Sequence, residues 1–195
     1  MSAPLDARLT NPREGGASFP LRHRLERAAF RTLWFFVEAL CPLPIHAVRR
    51  SLLRLFGARL ADTARVYPGV EVWYPRHLTM DEHACIGPGA ICYCMAPVTL
   101  GRYAVVSQRA HLCAGTHDID DPAFQLCVAP IVIGAEAWVA AEAFVGPGAV
   151  LEEGAVLGAR AVLFGRLPAW TVAGGNPARK LRERRRRVAE AGERP

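Results

Sequence analysis

The sequence predicts an all-β fold: a parallel β-helix of stacked triangular coils, preceded by helices. Three observations point there. From Met80 an aliphatic residue or cysteine returns at every sixth position: Met80, Ile86, Cys92, then Leu100, Val106, Leu112, and after a break Ile133, Val139, Val145, Leu151, Leu157 and Leu163. The position four places later is occupied by Ala84, Ala90, Ala96, Ala104, Ala110, Thr116, Ala137, Ala143, Ala149, Ala155, Ala161 and Leu167, so ten of twelve are Ala. Turn residues punctuate the same rhythm at Gly87-Pro88-Gly89, Gly101, Gly134, Gly146-Pro147-Gly148, Gly154 and Gly158. A period of six fits neither the 3.6 of a helix nor the alternation of a lone strand. It fits a short strand and a corner, repeated, with three hexads closing a coil of about 18 residues. The aliphatic residue points inward, and the small one sits where the interior narrows and bulk would overpack.

The elements follow in order. Residues 1–20 are rich in Pro, Gly and polar groups and are expected to be loose. Residues 21–57 form a helical extension: two apolar stretches, Phe30–Leu40 and Leu52–Phe56, separated by Pro42 and Pro44 and surrounded by arginines. The first stretch is too short to span a bilayer, which needs about 20 apolar residues. It starts late and lacks a small-residue cleavage site, against a secretory signal. Two expectations compete for these helices: a cap on the open end of the coils, or a basic amphipathic contact with the inner membrane face. Residues 58–178 carry the hexads. A weaker copy, Leu60, Val66 and Val72, precedes the main run, with two-residue register shifts between Leu78 and Met80 and at Pro97-Val98, giving about five coils from Leu60 to Leu167. Residues 179–195 form a basic tail, expected to be a short helix or a solvated segment.

Net charge is +6, and the excess is local: Arg179, Lys180, Arg182, Arg184, Arg185, Arg186 and Arg187 crowd the C-terminus. No recognisable module accompanies that charge, so nucleic acid is not an expected partner. The six cysteines make no CxxC and no paired metal-ligand spacing, which favours reduced thiols and a cytoplasmic location. No metal site is expected.

After Leu112 the rhythm breaks for one excursion, Cys113-Ala114-Gly115-Thr116-His117-Asp118 followed by Ile119 to Pro130. An ejected loop costs a solenoid little packing and often carries its binding face. His117 stands at the root of this loop. A lone histidine is most often structural, and His77, His83, His111, His23 and His46 are given no chemical role.

The hexads resemble those of the hexapeptide-repeat acyltransferases, which form left-handed parallel β-helices; the left hand rests on that resemblance, against the general right-handed rule for parallel crossovers. The stretch from Val106 to Asp118 resembles more narrowly the phrase SQ-x-x-x-LC-x-G-[ST]-H-[DN] of the sugar O-acetyltransferases of exopolysaccharide synthesis, such as the colanic acid acetyltransferases. The resemblance covers about Leu52 to Lys180. It implies acetyl-CoA as co-substrate, a sugar or lipid-linked oligosaccharide as acceptor, a homotrimer with sites between neighbouring solenoids, and His117 as general base. An imidazole suits that task, because a sugar hydroxyl holds its proton tightly at neutral pH.

The resemblance further implies an oxyanion donor at the N–H of Ala141, in the motif Trp138-Val139-Ala140-Ala141, and a place for Trp138 beside the cofactor arm or the acceptor. Gly158-Ala159 matches a small-residue turn against the pantetheine. The ending Asn176-Pro177-Ala178-Arg179-Lys180 matches G-N-P-A-[KR], with Arg179 and Lys180 toward the adenine and 3′-phosphate end. Asp118 and Cys94 fall on the acceptor side. Two departures stand out: Phe164-Gly165 replaces a frequent Thr-Lys pair, with Arg166 as a substitute charge, and Cys94 stands where relatives often place Asn. The alternatives are another small acceptor such as an amine, antibiotic or serine, a γ-carbonic-anhydrase-like protein, or a non-catalytic β-helix.

Overall fold

The computed structural model describes residues 4–41 and 43–185. Three helices come first: α1 (Ala7–Thr10), α2 (Leu21–Leu40) and α3 (His46–Leu55). The first coil is β1 (Arg59–Leu60), β2 (Arg65–Val66) and β3 (Glu71–Val72). The second is β4 (Leu78–Met80), β5 (Cys85–Ile86) and β6 (Ile91–Tyr93), and the third is β7 (Val98–Leu100), β8 (Val105–Val106) and β9 (His111–Cys113). An antiparallel hairpin then leaves the coil, β10 (Gly115–His117) against β11 (Leu126–Val128). The fourth coil is β12 (Ile131–Ile133), β13 (Trp138–Val139) and β14 (Phe144–Val145), and the fifth is β15 (Val150–Leu151), β16 (Val156–Leu157) and β17 (Val162–Leu163). A sixth, incomplete coil has β18 (Arg166–Leu167) and β19 (Thr171–Gly174), and β20 (Arg179–Glu183) folds back antiparallel on β19.

Strands stack in parallel into three faces, β1-β4-β7-β12-β15-β18, β2-β5-β8-β13-β16-β19 and β3-β6-β9-β14-β17. The hexad columns are the stacking registers: Val106 sits on Ile86 and under Val139, and Leu157 lies above. All of these are fully buried, as are the alanines at 64, 84, 104, 110, 137, 143, 149, 155 and 161. The corners stack closely as well; a Cβ on Gly134 would lie 2.8 Å from the backbone of Glu152 and Glu153.

Four expectations need correction. There are about six coils rather than five, because after the fifth coil closes at Leu163 the chain begins another with β18 and β19. Leu167 is not a small-partner position but the inward residue of β18, paired with Leu151. The first residues of the basic tail form strand β20 rather than a helix, and the tail beyond residue 185 lies outside the described residues. Residues 4–20 are not a free arm: α1 and a 3-10 turn at Pro12–Glu14 are tied to the loop after β10, where the Gln125 side chain accepts from Ala7 N–H and donates to the Leu5 carbonyl, at 2.7 and 3.1 Å.

The capping expectation for residues 21–57 holds in detail. Phe30 and Leu53 are buried in the end of the prism, and the Trp34 indole N–H donates to the Val70 carbonyl at 2.9 Å. Arg49, fully buried, ties the α2–α3 turn together through Glu38 at 2.8 Å and the carbonyls of Leu43 and Cys41. A buried guanidinium with this many acceptors is a satisfied charge.

Candidate functional site

The prism has two contrasting edges. Along the edge from the second face to the third, hereafter the plain edge, every turn has the same length. Pro68, Pro88, Gln108 and Ala141 occupy one column there, each carbonyl accepting from the coil above: Gly89, Arg109, Glu142 and Arg160 are the donors, at 3.4, 3.0, 3.1 and 2.9 Å. Along the edge from the third face back to the first, the hairpin edge, the turns are irregular. Trp73, Tyr93 and Cys113 stack there, and the β10–β11 hairpin departs.

His117 ends β10, half-buried on the hairpin edge. Its Nδ1 lies 2.8 Å from the Phe124 carbonyl, and its ring stacks on the Phe124 ring at 4.3 Å and 11°. A carbonyl can only accept, so this contact assigns the proton to Nδ1 and leaves the lone pair on Nε2. The ring lines a cleft of ≈ 410 Å³ together with Gly15–Phe19 of the N-terminal arm, Arg24 and Arg27 of α2, and Trp73, Tyr93 and Met95. The Arg27 guanidinium lies over Trp73 at 4.4 Å. An imidazole held in one tautomer, beside aromatic faces and cations in an open cleft, can take a proton from an alcohol and hold a polar ring against it.

The other expected residues separate by edge. Ala141 is on the plain edge, and its N–H makes no hydrogen bond among the described residues, whereas Ala140 and Glu142 on either side donate to Leu157 and Gln108. Ala159 is exposed one coil higher on the same edge, and exposed Asn176 ends the column, where Val162 N–H donates to Gly175 and Ala178 N–H to Val162. Trp138 is exposed on the second face and donates from its indole to Ser107 Oγ at 2.8 Å. It lines a shallow cleft of ≈ 490 Å³ with Tyr103, Val105 and Arg184. Arg179 is exposed with no carboxylate partner among the described residues, while Lys180 is ion-paired with Glu183. One chain therefore does not bring His117 and Ala141 together. The third face separates their edges, and a hexad at about 3.3 Å per residue spans up to roughly 20 Å.

On the acceptor side, Asp118 is exposed, but its Oδ1 accepts from the N–H groups of Asp120 and Asp121 at 3.1 and 3.3 Å, so the carboxylate shapes the loop. Cys94 is corrected: it is fully buried, its thiol between the N–H and carbonyl of Tyr74 at 3.3 and 3.2 Å, and it offers no atom to an acceptor. Arg166 is taken by an ion pair with Glu152, so it does not replace the charge missing at Phe164-Gly165. The histidines do not converge: His77 Nδ1 contacts the Cys94 carbonyl at 3.0 Å, and the His111 ring packs against Phe144 at 5.3 Å. Among the described residues no three His, Cys, Asp or Glu side chains gather as a metal site.

Sequence reading missed Phe124, Arg24, Arg27 and the arm at Gly15–Phe19. The stacked Trp73 and Tyr93, twenty residues apart on one edge, were the readable signal for an aromatic wall.

No protein-family model matches the sequence. WcaF of Escherichia coli (strain K12), named as a colanic acid biosynthesis acetyltransferase, is 38% identical over 173 residues, covering 87% of this chain and 95% of the relative. The fold is similar to that of a maltose O-acetyltransferase from Clostridium difficile 630, at TM-score 0.74 and 20% identity over 86% of this chain and 90% of that one. It is similar too to a galactoside acetyltransferase solved with coenzyme A, at TM-score 0.74 and 21% identity over 84% and 83% of the two chains. With the hexad columns, the ejected hairpin and this relative in agreement, the chain belongs to the hexapeptide-repeat acyltransferases, in the branch of the colanic acid biosynthesis acetyltransferases.

Proposed function

We propose that this chain transfers an acetyl group from acetyl-CoA to a sugar hydroxyl in exopolysaccharide or oligosaccharide assembly, with His117 as general base. The observation that carries this reading is the Nδ1 contact to the Phe124 carbonyl, which leaves Nε2 as acceptor in a cleft walled by Trp73, Tyr93 and Arg27. Nε2 takes the hydroxyl proton as the hydroxyl oxygen bonds to the acetyl carbon. The carbon–sulfur bond then breaks, and the imidazolium returns the proton to the leaving thiolate. The acyl group goes directly to the acceptor without a covalent enzyme intermediate.

The N–H of Ala141, unpaired among the described residues, is the donor for the charge that builds on the acetyl oxygen. Because Ala141 and His117 lie on different edges, a neighbouring copy supplies the second edge, in keeping with a homotrimer whose three sites sit between prisms. Trp138, Ala159, Asn176, Arg179 and Lys180 then line the cofactor path. Exposed Ala159 leaves the pantetheine room against the main chain, and Arg179, with no carboxylate partner among the described residues, suits a phosphate. Asp118 acts on the acceptor side by shaping the loop. Use of acetyl-CoA and six free thiols favour the cytoplasm. The galactoside acetyltransferase solved with coenzyme A supports the co-substrate, and WcaF supports a polysaccharide-related acceptor.

The test is His117→Ala, assayed by thiol release from acetyl-CoA with candidate glycans. Turnover falls about 10²–10⁴-fold while assembly state and melting are kept. Unchanged turnover removes His117 from its role.

A further inference from the structure

Capping the prism occupies only one face of α2. The inner face, centred on His23, Phe30 and Trp34, is buried. The outer face carries Leu21, Leu25, Leu33, Phe36 and Leu40 at helical spacing, each between 45% and 81% exposed. Alanines and one threonine fill the gaps at positions 28, 29, 32 and 39. Among the described residues this stripe stays largely uncovered.

Charge decides what covers it. Arg22, Arg24 and Arg31 are exposed along the borders of the stripe. Both acids of α2 are committed inward: Glu26 accepts from the Tyr74 hydroxyl at 2.8 Å and pairs with Arg22 and Arg76, and Glu38 binds Arg49 and the Gly69 N–H. The side chains of Arg24 and Arg31 make no ion pair or hydrogen bond among the described residues. The outer face is therefore apolar with a cationic margin, and the one carboxylate beside it, Glu26, is shared among Arg22, Arg76 and the Tyr74 hydroxyl. Two copies packed face to face through it would oppose the same arginines, which disfavours self-pairing. A bilayer with anionic headgroups matches both features, with leucine and phenylalanine entering the acyl boundary and guanidinium groups reaching the phosphates. No described helix is long and apolar enough to cross a membrane, so the helix would lie in the plane.

We propose that the outer face of α2 docks this protein on an anionic membrane surface. The inference is independent of the acetyl-transfer reading. Arg24 and Arg27 of the same helix line the His117 cleft, so docking would hold that cleft close to the headgroups.

The experiment is flotation of the full chain with vesicles of phosphatidylcholine containing phosphatidylglycerol, and with phosphatidylcholine alone. The protein is expected to float with the anionic vesicles at least about tenfold more than with neutral ones, and to be largely released by salt near 0.5 M. Leu25→Glu with Phe36→Glu abolishes flotation while the melting temperature and assembly state stay unchanged. Arg22→Gln with Arg31→Gln weakens binding to the anionic vesicles alone. Failure of the folded wild-type chain to float with anionic vesicles overturns the proposal. So does a higher assembly of the wild-type chain that the Glu pair dissociates, because a second copy would then be the occupant.

Discussion

The plain edge and the hairpin edge are made by the same repeat, yet they behave as different materials. On the plain edge each turn copies the one below, and the carbonyls of Pro68, Pro88, Gln108 and Ala141 accept in register. Within that column Ala141 differs from Pro68 and Pro88 in carrying an N–H, and from Gln108 in its place in the stack. On the hairpin edge the repeat is abandoned, and His117 is held by groups distant in sequence: the hairpin that brings Phe124, the arm fixed through Gln125, and α2. The difference teaches that a solenoid supplies backbone donors from its regularity and proton chemistry from its interruption.

The most severe way to test the plain edge is to change one atom's chemistry without changing the turn. Pro68 and Pro88 already occupy the column position of Ala141, so Ala141→Pro should fit the backbone while deleting the N–H. Turnover is expected to fall about 10²–10³-fold with melting nearly unchanged. Wild-type turnover in a folded variant would show that the donor lies elsewhere.

Next in size is the interior beneath both edges. Ala143 and Ala149 are fully buried, one at the end of the plain-edge turn and the other at the hairpin-edge turn after β14. Leu at either site should destabilise by about 1–3 kcal/mol through overpacking, read by denaturant unfolding. Neutral behaviour at both would contradict the coil register. A large loss at Ala143 with tolerance at Ala149 would mean that the irregular edge yields more easily.

The smallest effect concerns the root of the hairpin edge. His23 is stacked on Phe19 at 4.6 Å and packs against Tyr74 at 4.1 Å, and among the described residues neither ring nitrogen has a hydrogen-bond partner. Burial, with help from nearby Arg27, lowers its pKa from 6.5 to about 4. Below pH 6.5 the unfolded chain takes up a proton on this ring that the folded chain refuses until about pH 4. Stability is therefore fully present above pH 6.5 and is lost as the pH falls toward 4. The loss should be of order 2 kcal/mol. Burial lowers the pKa of His77 and His111 as well, in the same direction. Melting curves across this range should show the decline, and His23→Phe, which keeps the stack, should flatten it. An equally steep decline in that variant would assign the effect to the other histidines.

Legibility in the sequence followed the same division. The faces and the core were readable because each inward residue and each alanine obeys one period, and a period can be counted along the chain. The end of the solenoid was less so: Leu167 lies four residues after Leu163, where counting by six assigns the wrong column. The candidate base was legible only because it stands where the rhythm fails. Its surroundings were not, because Phe19, Arg27, Trp73 and Phe124 are brought together by tertiary contacts that leave no spacing to count. Cys94 shows the converse error, a position matched by likeness whose side chain turns inward to the Tyr74 backbone.

The placement of His117 and Ala141 on separate edges has a genetic consequence under the proposed assembly. Catalysis then belongs to a junction between chains rather than to any one chain. A His117→Ala polypeptide and an Ala141→Pro polypeptide, each inert alone, would complement when co-expressed, because every mixed ring of three contains one junction with both halves intact. With random mixing about a quarter of the junctions would work.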